Sequence, residues 1–352
     1  MAEPIDTPAL IIDEVAVQEN ITAFQAHCDK VGLSLRPHIK THKTRRFMQQ
    51  QLRAGATGIT CQKIGEADVM ADGGARDILI TYNIVGANKL RRLKDLSQRI
   101  DKLTVVVDNL VTLNGLAEQF ADNTPTLNVM VECETGARRC GVQTPEQALE
   151  LAKHTVSLPG LNFTGLMTYP SPGGAYDAAK FMRDTLPLLQ ASGIDCPVVS
   201  TGGTPDMWSA STESVFTEYR IGTYIYNDRS LLARGVTSED KCAARVHATV
   251  VSRPTADRLV IDAGSKAITS DLMGMFEDYG YVVDHPDASI TSLSEEHGVV
   301  SVPENCDLVV GDIVQIIPNH VCVVSNMFDR AWLRTADGQL IPQTIDARGM
   351  VR

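Results

Sequence analysis

Residues 103–132 read LTVVVDNLVTLNGLAEQFADNTPTLNVMVE. The runs 103–107 and 127–132 are short and mostly apolar, and the segment 110–120 between them has helical spacing. Near-continuous apolar strands belong to sheets covered on both faces, and strand–helix–strand is the unit of a parallel sheet. Working outward, the same alternation recurs. Further candidate strands are 33–38, 57–61, 78–81, 163–168, 197–200 and 218–221, each bounded by Gly, Pro, Asp or Asn. Helical spacing marks 15–31, 65–72, 88–99, 144–156 and 175–191. In 15–31, Val17, Ile21, Phe24 and Cys28 share a face. In 144–156, Thr144 is a cap, Pro145 sits in the first turn, and Gln147 completes a capping box. Eight such units predict an α/β chain folded as a (β/α)8 TIM-type barrel rather than an open doubly wound sheet.

Beyond about residue 240 the long helical segments stop. The runs 246–253, 258–262, 280–283, 298–302, 313–317 and 321–324 are β-rich, with turns such as Ala336-Asp337-Gly338-Gln339. They predict an antiparallel β-rich C-terminal domain. The expected division is a barrel at 14–240 and a β-rich domain made of 1–13 plus 241–352, the run 9–13 pairing with the latter.

The chain has 352 residues and a net charge of −11. So acidic a protein is a poor general binder of nucleic acid or anionic membrane. No stretch approaches the roughly 20 apolar residues of a membrane span. The opening Met1-Ala2-Glu3-Pro4-Ile5-Asp6 lacks a secretory pattern. The eight cysteines are scattered, without a Cys-x-x-Cys pair, and read as reduced thiols of a cytoplasmic protein.

Four stretches could carry chemistry. The first is Arg36-Pro37-His38-Ile39-Lys40-Thr41-His42-Lys43, after the first barrel strand, where barrel enzymes keep their active sites. Period-two alternation would put His38, Lys40 and His42 on one side. A lysine partly desolvated beside other cations gives up its proton more readily, and its amine can then form a Schiff base. A solvated basic turn is the plainer reading. Two Gly-rich loops follow the seventh and eighth strands: Ser200-Thr201-Gly202-Gly203-Thr204-Pro205 and Arg220-Ile221-Gly222-Thr223-Tyr224. Barrels often hold phosphate there. The third is Glu132-Cys133-Glu134-Thr135-Gly136-Ala137-Arg138-Arg139-Cys140-Gly141, either a surface ion-pair loop or a cation held near a cofactor ring. The fourth is Pro318-Asn319-His320-Val321-Cys322. On a strand, His320 and Cys322 would share a face, and imidazole with thiolate suits a borderline-soft divalent ion. Two ligands leave positions open, as a catalytic metal requires.

Together these motifs resemble the D-threonine aldolase and D-serine dehydratase family. Its members are fold-type III pyridoxal 5'-phosphate (PLP) enzymes related to alanine racemase. The likeness also takes in Asp6-Thr7-Pro8-Ala9, Asp262-Ala263-Gly264-Ser265-Lys266, Glu295-Glu296-His297-Gly298 and Ala347-Arg348-Gly349, and so spans nearly the whole chain. It implies a homodimer with active sites at the subunit boundary and a small D-3-hydroxy amino acid as substrate. It implies that Lys40 joins PLP through its amine. Gly203, Thr204, Gly222 and Thr223 match phosphate positions, and Arg139 matches an arginine facing the pyridine nitrogen. Gln62, Tyr169 and Tyr224 match positions lining the cofactor. His320 and Cys322 match the pair that binds a divalent metal (Zn, Mn, Co or Mg). The implied activity is retro-aldol cleavage of D-threonine, with dehydration of D-serine or 3-hydroxy-D-aspartate as the alternative. An amino-acid racemase or a non-catalytic PLP carrier fits less well. His-x-Cys stands where several aldolases have His-x-Asp, a feature shared with the dehydratases. No histidine follows Tyr169 in Tyr169-Pro170-Ser171-Pro172-Gly173-Gly174-Ala175, where some aldolases place one.

Overall fold

The structure, a computed structural model, describes residues 5–122, 125–210 and 215–352. Residues 1–4, part of the opening segment read above for a secretory pattern, lie outside the described residues. The chain divides into two compact units. One comprises residues 22–40, 45–222 and 350–352, the other residues 1–21, 41–44 and 223–349.

The first unit is the barrel. Its eight strands are Ser34–Pro37, Ile59–Cys61, Asp77–Ile80, Lys102–Val107, Leu127–Cys133, Leu161–Thr168, Val198–Gly202 and Glu218–Ile221. From the second strand onward each pairs in parallel with the next. The first pairs with the last, Ser34 opposite Glu218 and Pro37 opposite Ile221, and a parallel bridge from His38 to Thr60 joins the first to the second. Four consecutive strands, the third to the sixth, contribute Leu79, Val106, Met130 and Met167 to one buried cluster. The α/β barrel expected from the apolar runs is therefore the fold.

Thr144 caps helix Pro145–Ser157 by accepting from the Gln147 N–H at 3.3 Å. The Gln147 amide oxygen reaches back to Gln143 N–H instead of Thr144, one residue beyond the expected capping box. Helix Arg45–Ala54 is absent from the sequence expectation. Its stretch RRFMQQQLRA is polar, and its apolar burial is confined to Phe47 and Met48. The strongly polar composition hides the helix, although buried Phe47, Met48 and Gln51 still fall on one helical face.

The second unit holds a sheet ordered Ser289–Leu293, Gly298–Ser301, Arg258–Ile261, Ala244–Thr255, Ala9–Asp13, Arg330–Arg334 and Leu340–Thr344. Ile313–Ile317 also pairs with Ala244–Thr255 and with Tyr281–Val282. Every pairing is antiparallel except Ala9–Asp13 on Arg330–Arg334. The 336–339 turn closes the hairpin of the last two strands. One expected strand is corrected. Residues 321–324 lie in a short helix, Val321–Ser325, because the extended His320 acts as its N-cap.

The barrel interior carries a chain of buried charges. Arg36 Nε donates to Glu218 Oε2 at 2.7 Å, and its Nη1 donates to Asp77 Oδ1 at 2.7 Å. Ser200 Oγ donates to Glu218 Oε1 at 2.7 Å and accepts from Arg220 Nη1 at 2.6 Å. Arg220 Nη2 donates to the Thr168 carbonyl at 2.7 Å. Burial lowers Arg220 to about 10 against the pull of Glu218 and Glu132. Burial likewise raises Glu132 to about 7, against the attraction of Arg139 and Arg220.

Glu218 therefore neutralises two buried guanidinium groups at once. Glu218→Gln keeps the shape and removes the charge. It is expected to cost about 3–5 kcal/mol of folding stability, the usual effect of breaking a buried ion pair from one side. An unchanged denaturant midpoint would contradict this. Glu132 supplies a pH test. Its folded value, about 7, lies above the ordinary 4.5, so the fold favours the protonated form. Its contribution to stability is complete below pH 4.5 and is lost as pH rises through 7. Glu132→Gln mimics the protonated group. Variant and wild type should match at pH 4, the variant becoming the more stable as pH passes 7; parallel stability curves would refute the assignment.

Candidate active site

Pro37 ends the first barrel strand, so the alternation expected of His38, Lys40 and His42 does not hold beyond the His38 bridge. The next residues turn instead, and each basic side chain finds its own setting. The Lys40 backbone N–H donates to His38 Nδ1 at 3.3 Å. That nitrogen is thus an acceptor, and the proton of the neutral ring sits on Nε2, which lies 3.1 Å from Gln62 Oε1. Gln62 is fixed in turn: its Nε2 donates to the Thr81 carbonyl at 2.8 Å and its backbone N–H to Glu66 at 2.8 Å. Lys40 itself is half-buried. In the second unit His42 is fully buried, with Nδ1 accepting from the Thr44 N–H at 3.1 Å. Lys43 donates from Nζ to the Ala347 carbonyl at 3.1 Å.

In the barrel unit, the loop after the fifth strand folds back on itself. Glu134 accepts from the backbone N–H groups of Gly136 and Arg139. Burial pushes its carboxyl up, but backbone donors from Gly136 to Arg139 hold it below the usual range. Gly141 closes the loop at φ 119°, where a Cβ would meet Glu134 N at 2.4 Å, so only glycine fits. This places the exposed Arg139 guanidinium 4.9 Å from the centre of the Tyr169 ring. Beside that ring, Gly203 takes φ 127°, and a Cβ there would meet only Tyr169 Cε2, at 4.0 Å. The Gly203 N–H is already used on the Arg220 carbonyl at 3.0 Å. Gly203 therefore supplies open space, while the buried Thr204 begins the 3-10 turn Thr204–Ser209. Gly222 is buried next to Ile221, whose carbonyl accepts the His38 N–H at 2.6 Å.

In the second unit, His320 and Cys322 come together by a route other than a strand face. His320 is extended, at φ −139° and ψ 114°, and helix Val321–Ser325 starts immediately after it. Its Nδ1 bonds Asp228 Oδ2 at 2.9 Å, and the ring hydrogen-bonds Cys322 as well, which leaves Nε2 for the sulfur. Burial alone would lower the imidazole. The Cys322 charge and the Asp228 carboxylate overcome it and push His320 up to about 11. A divalent ion would take the place of the proton shared between Nε2 and Sγ. The carboxylate at Nδ1 would then orient the ring as such partners do at metal-bound histidines.

Asp228 is fully buried and was not singled out from the sequence. It caps Arg229–Ala233 and accepts from Ser230 Oγ at 2.6 Å, Leu231 N at 3.3 Å and Val321 N at 3.2 Å besides His320. Its only sequence signal is that of an ordinary helix cap in Asn227-Asp228-Arg229-Ser230. Cys322 is half-buried, its sulfur 3.1 Å from Thr41 Oγ1 and 3.6 Å from Thr223 Oγ1. These threonines directly follow Lys40 and Gly222 in the chain. Tyr224, next to Thr223, is buried.

Residues 12–230 match the family model described as the alanine racemase N-terminal domain, and residues 243–333 the one described as a putative serine dehydratase domain. The chain is 33% identical to the D-threonine aldolase of Arthrobacter sp. over 342 residues, covering 92% of this chain and 88% of that one. It is 29% identical to the D-threo-3-hydroxyaspartate dehydratase of Delftia sp. (strain HT23), covering 96% of each. The crystal structure of D-threonine aldolase from Filomicrobium marinum matches with a TM-score of 0.91 at 29% identity, over 99% of this chain and 97% of that one. A racemase-type barrel joined to a dehydratase-type β unit, matched almost from end to end, makes this chain a member of the D-threonine aldolase and D-serine dehydratase-like family.

Proposed function

We propose that this protein is a PLP- and divalent-metal-dependent lyase that cleaves D-threonine into glycine and acetaldehyde. The observation that carries this reading is the His320–Cys322 pair backed by buried Asp228, its sulfur flanked by the threonines that follow Lys40 and Gly222. The similarity to D-threonine aldolase supports the choice of substrate.

The donors present suit both groups. Lys40 would hold the cofactor covalently, and Thr204, Gly222 and Thr223 would surround its phosphate. Gly203 leaves room beside the Tyr169 ring, a cradle that any Cβ would narrow. Arg139, Tyr169, Gln62 and Tyr224 would line the ring. When bound, PLP is an electron sink for charge developing at the substrate Cα, and the metal is a Lewis acid at its β-oxygen. The chain's own contribution is placement and charge. Arg139, stacked over Tyr169, presents a fixed positive charge that disfavours protonation of a neighbouring ring nitrogen. His38, neutral with its proton on Nε2, keeps Gln62 oriented. Asp228 holds the His320 ring so that Nε2 and the Cys322 sulfur face the same point. In the reaction the Cα–Cβ bond breaks, the hydroxyl oxygen loses its proton and becomes the aldehyde oxygen, and Cα gains a proton.

Cys322 itself favours a second reading, since the thiolate in this pair is the feature shared with the dehydratases. On that reading the Cα proton and the β-hydroxyl leave as water, and the resulting enamine tautomerises to an imine that one water hydrolyses to a 2-oxo acid and ammonia. Incubating the PLP- and Mn²⁺-loaded protein with D-threonine separates the two. Glycine with acetaldehyde is the expected result; 2-oxobutanoate with ammonia would mean dehydration, and no product from D-threonine or 3-hydroxy-D-aspartate would overturn both. Lys40→Ala should abolish turnover together with the visible absorbance of bound cofactor. Asp228→Asn keeps a cap acceptor but weakens the support of His320. It is expected to raise the metal dissociation constant by roughly 10–100-fold; an unchanged metal titration would remove Asp228 from the site.

A further inference from the structure

Within the β unit a second set of soft and hard donors converges, away in sequence from His320 and Cys322. One ligand atom each from His285, Cys306 and Asp307 lies within 4.8 Å of the others. We propose that these three residues form a separate divalent-cation site, suited to zinc or an ion of similar softness, that clips two turns of the β unit together.

Imidazole, thiolate and carboxylate are the donor types zinc takes, and the two anionic ligands balance a dication. With metal–ligand lengths of about 2.0–2.3 Å, donors around a tetrahedral ion stand roughly 3.4–3.8 Å apart. The three atoms therefore need to draw in by at most roughly 1.4 Å, a distance side-chain rotation covers. Cys306 is a free thiol and half-buried like His285, whereas Asp307 is exposed, so an ion can enter from solvent.

The backbone that carries these donors is already fixed. Val283 N–H bonds the Gln315 carbonyl at 2.8 Å, Asp284 turns the chain with φ 67°, and Ala288 N–H closes on the His285 carbonyl at 2.9 Å. On the other turn, Cys306 N–H bonds the Pro303 carbonyl at 2.9 Å. Arg253 Nη1 donates to the carbonyls of both Cys306 and Leu308. Val309 N–H is held by Asp312 Oδ2 at 2.7 Å. The ion thus has to order three side chains and no loop. Strands Ser289–Leu293 and Gly298–Ser301 lie between the two turns, so a bound ion closes that segment and stabilises the folded unit by mass action. Three protein donors leave a fourth position for water.

The test uses the Cys322→Ala chain, so that no thiolate signal can come from the His320 pair and the result does not depend on the PLP reading. After stripping with chelator and titration with Co²⁺, one cobalt per chain is expected, with thiolate-to-cobalt charge-transfer absorption and a rise in melting temperature. Adding Cys306→Ser should remove the band, the bound cobalt and the rise together. His285→Gln should lose the bound cobalt while leaving the thiol titratable and the circular dichroism unchanged. No cobalt uptake, uptake without the thiolate band, or a band that survives Cys306→Ser would each overturn the site.

Discussion

The barrel depends on one closure, the parallel pairing of Ser34–Pro37 with Glu218–Ile221. These strands stand at opposite ends of the barrel's sequence, so their pairing joins its first unit to its last. It also sets the chemistry. His38 N–H bonds the Ile221 carbonyl, which fixes the start of the Lys40 turn against the start of the Gly222 loop. Thr41 and Thr223, the residues next along each segment, both approach the Cys322 sulfur.

Closure also gathers charge into the barrel interior. Arg36 and Arg220 share Glu218, one directly and one through Ser200, with Asp77 at one end and the Thr168 carbonyl at the other. Buried charges are tolerable where every donor and acceptor is engaged. The opposed shifts of Arg220, downward, and Glu132, upward, record the remaining desolvation. Arg139 differs, being exposed and held over Tyr169 by a folded loop, so its charge is available to whatever lies beside that ring.

The barrel was readable from sequence because its strands are covered on both faces and print as apolar runs. Helix Arg45–Ala54 was not, since its composition is so polar that no apolar run marks it. Strands 289–293 and 340–344 were missed because they are only partly buried and their polar residues blur the alternation, and 330–334 because its fully buried Ala331 and Leu333 are flanked by arginines. At the site, the motifs at Lys40, Gly203, Gly222 and His320 stood out as local strings. What could not be read was how they are oriented. The His-x-Cys spacing suggested a strand face, whereas an extended cap before a helical turn brings the two together. Asp228, 92 positions from its partner His320, looks in sequence like any helix cap. Its second bond exists only because the fold brings the start of Arg229–Ala233 against the turn after Ile313–Ile317.

The β unit contains histidine, cysteine and aspartate in two arrangements, and the place of the carboxylate separates their chemistry. Asp228 is bound to the far nitrogen of His320 and is fully buried, so it cannot reach an ion held at Nε2. On the proposed reading it would act through the ring, fixing its orientation and increasing its basicity, and would leave an ion two protein donors and open positions for a substrate oxygen. Asp307 instead neighbours Cys306 in the chain, and its oxygen lies among the ligand atoms themselves. An ion there gains a third protein donor and loses a vacant position. Moving one carboxylate from behind the imidazole to beside the thiolate thus separates a site suited to binding and activating a small molecule from one suited to holding two turns together.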